Sequence, residues 1–429
     1  MSKTTKTATV AILRTKPRSI IEDTHELMNL AGYQDEIDSA VDTALKVNIS
    51  WHHFYPASST TPWQLDGVIR AMLADGYKRE LIHACHNRTV VIDSKLGERE
   101  NKQLPVVEHH GLRNIHLYEG GEEWVDIREA VGDLADKFLV LNDVYPDGFS
   151  IPRRFIGENI IHLPTVKTHV FTTTTGAMKN AFGGLLNERR HWSHPVIHET
   201  LVDLLRIQKK IHKGLFAVMD GTFAGDGPGP RCMDPQVKNV ILASSDQVAI
   251  DAVAAKLMGF DPMELRYLRL AHDAGLGCAD PAKIRIVGDV KAAEENWNFV
   301  GPFKNMTFAA RMQHQIYWGG LKPILEWSLK SWLAPWSYLA SIVYHDAYWY
   351  PRLGQDRVKK VLESDWGHLF ANWENLTPDE RGFPDLGPEP DWGKSSAKLL
   401  GMAAGFLGMA IKEAPEFEAR RRRHSSSKR

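Results

Sequence analysis

The run Ile160-Ile161-His162-Leu163-Pro164-Thr165-Val166-Lys167-Thr168-His169 constrains this chain more than any other stretch. An apolar, strand-like segment meets a proline and hands a lysine and a histidine to the polar loop Thr172-Thr173-Thr174-Thr175-Gly176. A helical run then restarts at Ala177-Met178-Lys179-Asn180. In α/β proteins ligands sit beyond the carboxyl ends of the strands, and this order of residues writes such a site. From Thr165 to Pro195 the chain holds Lys167, Lys179, Arg189, Arg190, His169, His191 and His194 against a single acid, Glu188. The whole chain carries a formal net charge of −1, so the excess of cations is local and points to an anionic ligand. A general nucleic-acid binder would be basic as a whole, which excludes that class here.

The remaining sequence supplies a scaffold. Residues 9–13, 44–51, 81–85, 114–118, 138–141, 215–219, 240–243 and 284–287 read as short strands. Helical spacing occupies residues 19–30, 63–74 and 195–211, a segment from the Ser244-Ser245-Asp246 cap to Gly259, and another opened by Pro262. Strand, polar loop and helix recur in that order, which implies an α/β fold with a mostly parallel sheet flanked by helices. At 429 residues the chain is expected to hold two structural units. The break is expected near residue 290, because nine of the thirteen tryptophans lie in residues 291–429. There Leu325, Leu329, Trp332, Trp336, Leu339 and Val343 alternate spacings of four and three, an apolar helical stripe interrupted near Pro335. Residues 1–290 are thus read as the α/β domain, and residues 291–429 as an aromatic-rich, mainly helical extension with a basic tail.

The three cysteines, Cys85, Cys232 and Cys278, form no CxxC pair, which argues against a disulfide framework and against a self-contained zinc or iron–sulfur cassette. The amino terminus lacks a signal-peptide core, and no run reaches the roughly 20 apolar residues that span a bilayer. The expected location is cytoplasmic. Association with a membrane surface is the alternative, because the apolar stretch 399–411 is followed by four arginines at 420–423.

Several residues carry the candidate chemistry. Lys167 and His169 are two apart, so on a strand they project to one face and their tips can meet on a carboxylate or phosphate; a salt-bridged loop lysine and a capping histidine are the plainer alternative. Thr174 and Thr175 offer hydroxyls, and Gly176 precedes a helix start whose free N–H groups favour anions. Lys179 and Asn180 fall in the first helical turn, where a cation opposes the helix dipole unless an anion lies nearby. The spacing is not that of a phosphate-binding P-loop, because Gly176 is followed by Ala177-Met178-Lys179-Asn180. His194 adds to the basic set. The glycine-rich loop expected after Asp220 brings Gly225 and Gly227 beside Asp220 and Asp226, suiting a metal, a sugar hydroxyl or a general base, with a purely structural turn as the alternative. Asp251, inside an apolar helix, is either paired at the site or exposed on a narrow polar stripe with Gln247 and Lys256, the stripe being preferred. His52-His53 and His109-His110 give at most one metal ligand per pair, since adjacent strand residues face opposite ways. His83 and Cys85 share a face, but a buried strand accounts for both. No metal ligand set and no cofactor is named by the sequence.

Four separated motifs keep a common order. They are Leu163-Pro164-Thr165-Val166-Lys167-Thr168-His169, Gly176-Ala177-Met178-Lys179-Asn180 with Phe182-Gly183, Val218-Met219-Asp220-Gly221 with Gly227-Pro228, and Asp246-Gln247-Val248-Ala249-Ile250-Asp251-Ala252-Val253 with Met258-Gly259. Together with Lys46-Val47-Asn48 they resemble the proteins grouped as domain-of-unknown-function family 362 (DUF362), over roughly residues 9–290. Some members of that family look like iron–sulfur proteins through ferredoxin-like cysteine clusters. This chain departs from them there, so that property is not carried over.

The expected function is that of an enzyme acting on an anionic small organic substrate. Lys167, His169 and Lys179 would hold the anion, and Asp220 or His169 would move a proton in an isomerisation next to a carboxylate. The alternative is a non-catalytic binding or assembly protein that meets a membrane surface or a protein partner through residues 291–429.

Overall fold

A computed structural model describes residues 7–119 and 121–373. Its strands are β1 (Thr9–Arg14), β2 (Thr43–Val47), β3 (Ile82–His86), β4 (Arg113–His116), β5 (Trp124–Asp126), β6 (Ser150–Pro152), β7 (Asn159–Leu163), β8 (Thr165–His169), β9 (Thr173–Thr175), β10 (Leu215–Asp226), β11 (Asp234–Ser244) and β12 (Arg285–Gly288). Ten of them build one sheet in the order β12-β1-β11-β10-β7-β2-β3-β4, with β8 beside β10 and β9 beside β8. Strands β4, β3, β2, β7, β10 and β8 run parallel to one another, while β11 lies antiparallel between β10 and β1, and β9 is antiparallel to β8. The sheet is mostly parallel and is flanked by helices, as its strand–loop–helix recurrence implies.

The helix starts follow the capping chemistry. Thr61 accepts from the Gln64 N–H ahead of the Pro62–Ala74 helix, and Asp246 accepts from Val248 and Ala249 ahead of the Gln247–Met258 helix. Gly259 then closes that helix in the left-handed region, at φ +98°.

Three local expectations change. Residues 138–141 are not a strand: the Asp203 carboxylate accepts from the backbone N–H groups of Leu139, Val140 and Leu141, so their donors go to a side chain and not to a ladder. Strand β2 stops at Val47, because the Asn48 N–H donates to Thr60 Oγ1 at 2.7 Å and the Asn48 carbonyl accepts from the Thr60 N–H at 2.9 Å. The glycine-rich segment after Asp220 continues β10 as far as Asp226, with Gly225 opposite Pro235 on β11.

The described residues form two compact units, residues 7–306 with 356–373 and residues 307–355. The sequence break near 290 therefore falls short of the packing break, and the chain returns to the α/β unit after 355. There Trp366 and Trp373 pack against Trp63, tilted and edge-on, with ring centroids 5.1 and 6.1 Å away. Trp366 also donates its indole N–H to Asn239 Oδ1 at 2.6 Å. The second unit contains the helices Phe308–Tyr317, Lys322–Leu325 and Ala334–Ile342 and the helical segment Val343–Gly354. Its apolar stripe is not sealed: Leu329 is buried, but Trp332 and Trp336 are 62% and 60% exposed. No helix among the described residues is long and apolar enough to cross a membrane. The 399–411 segment and the arginines at 420–423 lie outside the described residues.

If Trp366 is part of the α/β core, truncating it should be costly. Trp366→Ala is expected to destabilise the unit by about 3–5 kcal/mol, the range for emptying a buried aromatic site, read as a lowered midpoint in urea denaturation.

Candidate functional site

Pro164 separates β7 from β8, and its carbonyl oxygen is then free for other partners. It accepts from the Asp220 N–H at 3.0 Å and from Gln64 Nε2 at 2.9 Å. The same Gln64 amide donates to the Val218 carbonyl at 2.8 Å, so one side chain of the Pro62–Ala74 helix bridges both strands at the break. Asp220 completes this joint. Its Oδ2 accepts from Thr61 Oγ1 and Trp63 Nε1, at 2.5 and 3.1 Å, and its Oδ1 from the Thr222 N–H at 2.7 Å. Burial pushes this carboxyl upward against those hydrogen bonds.

Beyond β8 the strand β9 folds back, pairing Thr175 with Lys167 and Thr174 with Thr168. Gly176 then meets a buried acid. Asp251 accepts from the Ala177 N–H at 2.6 Å and the Met178 N–H at 3.1 Å. The acceptor at this turn is thus a carboxyl of the protein itself, and Asp251 is buried and paired at the turn, not part of an exposed stripe. A side chain at Gly176 would place its Cβ 2.0 Å from Asp251 Oδ1, which explains glycine there by space and not by dihedral angle.

The turn delivers Lys179 into a basic cluster. The His169 ring lies 5.5 Å from Phe171, Phe171 lies 4.9 Å from His194, His194 lies 5.7 Å from Phe182, and the Lys179 ammonium sits 5.2 Å over Phe182. Desolvation first, and the Lys179 charge next, hold both His169 and His194 well below the ordinary imidazole range. Lys179 itself is lowered to about 8 by desolvation and then by Arg190. Among the described residues it has the Phe182 ring as neighbour but neither a carboxylate nor a hydrogen-bond acceptor. His169 Nδ1 accepts from the Phe171 N–H at 3.1 Å, which puts the proton of the neutral ring on Nε2.

The other sequence candidates are distributed around this cluster. Lys167 is saturated: its ammonium donates to Asn48 Oδ1, Ser50 Oγ, the Ser58 carbonyl and Thr165 Oγ1, at 2.8, 3.3, 2.5 and 2.9 Å. Thr174 shares a hydrogen bond with the Tyr267 hydroxyl at 2.9 Å. Asn180 donates to the Lys46 carbonyl at 2.8 Å, and its own buried Oδ1 has no partner. The Gly225 and Gly227 carbonyls accept from Thr168 Oγ1, so these glycines fasten β10 and the following turn to β8.

Sequence reasoning passed over two members of this end of the sheet, Lys46 and His162. In register, Lys46 on β2 lies beside Cys85 on β3 and His162 on β7, so the three side chains line one face. Lys46 is buried, donates to the Val47 carbonyl at 2.5 Å, and is lowered to about 8 by desolvation. His162 Nε2 pairs with Gln208 Oε1 at 2.6 Å. The available signal was a polar residue in each of two otherwise apolar strands; register alone shows that they are neighbours. An open groove of about 590 Å³ lies at the opposite edge, ahead of β2 and β3, and its Asp35, Glu36, Asp38 and Asp75 would repel an anion.

These features define an α/β protein with a basic cluster beyond the carboxyl ends of its parallel strands. Residues 43–256 match the family described as Domain of unknown function (DUF362), and the chain belongs to that family. Over 121 residues it is 29% identical to a thylakoid-associated protein of Synechocystis sp.; the match covers 27% of this chain and 37% of that relative. No solved structure matches the chain.

Burial raises the Asp251 carboxyl from 3.8 to about 7, against the pull of the Ala177 and Met178 N–H groups. A carboxyl raised on folding stabilises most when protonated, so its contribution is full below about pH 4 and is lost as pH rises through about 7. Asp251→Asn keeps one acceptor and does not titrate. Urea denaturation across that range should therefore show a flatter pH dependence in the variant than in the parent, and equal slopes would place the titration elsewhere.

Proposed function

We propose that this protein is an enzyme that binds a small organic anion at the His169–Lys179–His194 cluster and transfers a proton next to its carboxylate. The observation that supports this reading is Lys179, an ammonium at a strand-end turn with no carboxylate and no hydrogen-bond acceptor among the described residues. A half-buried ammonium that has given up part of its water without gaining a counter-ion among the described residues is poised for an anionic ligand. His169 contributes its Nε2–H as a donor to the bound oxygen. Lys179 is lowered to about 8, so its neutral amine is accessible close to neutral pH; in that form it takes the proton next to the carboxylate, becomes the ammonium that holds the resulting anion, and returns the proton to carbon. Asp220 acts as a structural joint in this reading, since both its oxygens already accept hydrogen bonds.

A panel of small carboxylates and phosphate esters, screened by thermal shift, should contain a compound that stabilises the parent but not Lys179→Met. Its binding should weaken as pH rises through about 8, where the ammonium loses its proton. In deuterated water the same compound should exchange the hydrogen next to its carboxylate only with Lys179 intact. Equal stabilisation of the parent, Lys179→Met and His169→Gln by every compound would overturn the reading.

A second reading, attachment to a membrane surface, is favoured by a separate observation. Within residues 307–355, Phe308, Ile324, Trp327, Trp332 and Trp336 are each more than half exposed. Tryptophan suits the boundary between lipid and water, and the Synechocystis relative is described as thylakoid-associated. The full chain should float with anionic vesicles, and the combined Trp327→Ser and Trp332→Ser change should abolish this. Sedimentation without vesicles would exclude attachment.

A further inference from the structure

A second constellation lies at the carboxyl ends of β3 and β4, on residues that the anion site does not use. In register, His86 on β3 is the direct neighbour of His116 on β4, so both rings stand on one face, with centroids 4.6 Å apart. The Ser94–Glu100 helix brings Glu98 over them. His86 Nε2 lies 2.9 Å from Glu98 Oε2, and His116 Nε2 lies 3.1 and 3.3 Å from Oε2 and Oε1. Two imidazole nitrogens and a carboxylate therefore converge on one point, all within 4.8 Å of one another.

We propose that His86, Glu98 and His116 form the ligand set of a divalent transition-metal ion, zinc or ferrous iron, with a further coordination position left for water. Two histidines and one carboxylate are a donor set that both ions take when they keep an open position. A tetrahedral ion with bonds of about 2.0–2.1 Å holds its ligand atoms roughly 3.3–3.4 Å apart, close to the spacings found here.

The surroundings fit the same role. Glu119 Oε2 lies 3.4 Å from His116 Nδ1, the carboxylate contact that orients a ligating imidazole and holds its proton on Nδ1. Asn114 Nδ2 donates to Glu98 Oε2 at 2.9 Å and orients the carboxylate from the same strand as His116. The helix that carries Glu98 is tied down by the Ser94–Tyr118 hydroxyl pair at 2.8 Å. His86 and Glu98 are buried, while His116 is partly accessible, so the ion would be enclosed by protein on one side and reachable by water on the other. No residue of this set lies within the basic cluster, so the site stands or falls independently of the anion reading.

The test uses the full chain, stripped with a chelator and titrated by calorimetry with Zn²⁺ and, under anaerobic conditions, with Fe²⁺. One ion per chain is expected, and the ion bound more tightly identifies the preferred metal. Co²⁺ substitution should give the visible absorption of a four- or five-coordinate site. Glu98→Gln and His116→Gln are each expected to weaken uptake by about 100-fold or more, while the exposed His109→Gln leaves it unchanged. His116→Gln, at a partly accessible position, keeps the test readable if the buried Glu98→Gln fails to fold. Failure of the parent to take up either ion, or parent-like affinity in both folded variants, would overturn the site.

Discussion

The strand-end site rests on one buried contact, the Asp251 carboxylate accepting from the Ala177 and Met178 N–H groups across Gly176. It joins the Gln247–Met258 helix to the turn after β9, the turn from which Lys179 projects. The contact supplies a carboxyl acceptor for the N–H groups of that turn from within the protein. Lys179, just beyond, has no counter-ion among the described residues. A side chain at Gly176 would occupy the space that the carboxylate needs, so glycine and aspartate act as a pair although they lie far apart in sequence.

A second joint meets the same region from the sheet. Pro164 interrupts the strand, and the freed carbonyl is used by Gln64 and by the backbone of Asp220, which fixes β8 relative to β7 and β10. The result is a sheet end where several ionisable groups are drawn wholly or partly out of water, Lys46, His162 and His169 buried and Lys179 and His194 half-buried. Lys46 and Lys179 are both lowered to about 8, and His162, His169 and His194 are held neutral. Groups displaced toward neutral pH by burial are a recurring property of functional sites, although structural networks displace them too. Lys167 illustrates the structural case, since four acceptors surround it.

Much of the fold was legible because it depends on local patterns. The strand–loop–helix order, the Asp246 cap and the Gly259 stop are short-range signals, and each is where the sequence places it. The readings that changed involve a long-range partner. Residues 138–141 have strand-like composition, yet Asp203 takes their donors from 62 to 64 positions away. The glycines after Asp220 read as a loop, yet β11 pairs with them. Trp366 reads as part of a separate extension, yet it packs against Trp63 and completes the α/β unit.

The sequence by itself determined the class of fold, the family and the place where cations accumulate, because periodicity, capping and local charge are written in neighbouring residues. Only the tertiary structure decided which of those cations are satisfied and which are not. Lys167 and Lys179 look alike in sequence, one ahead of the threonine run and one after it. Folding surrounds the first with the Asn48–Ser58 loop and Thr165, and leaves the second over an aromatic ring. The same holds for His86, Glu98 and His116, unremarkable along the chain and brought together by parallel register and one helix. Hydrogen-bond partners and ligand geometry are properties of atoms that meet across the sheet, and no local pattern encodes them.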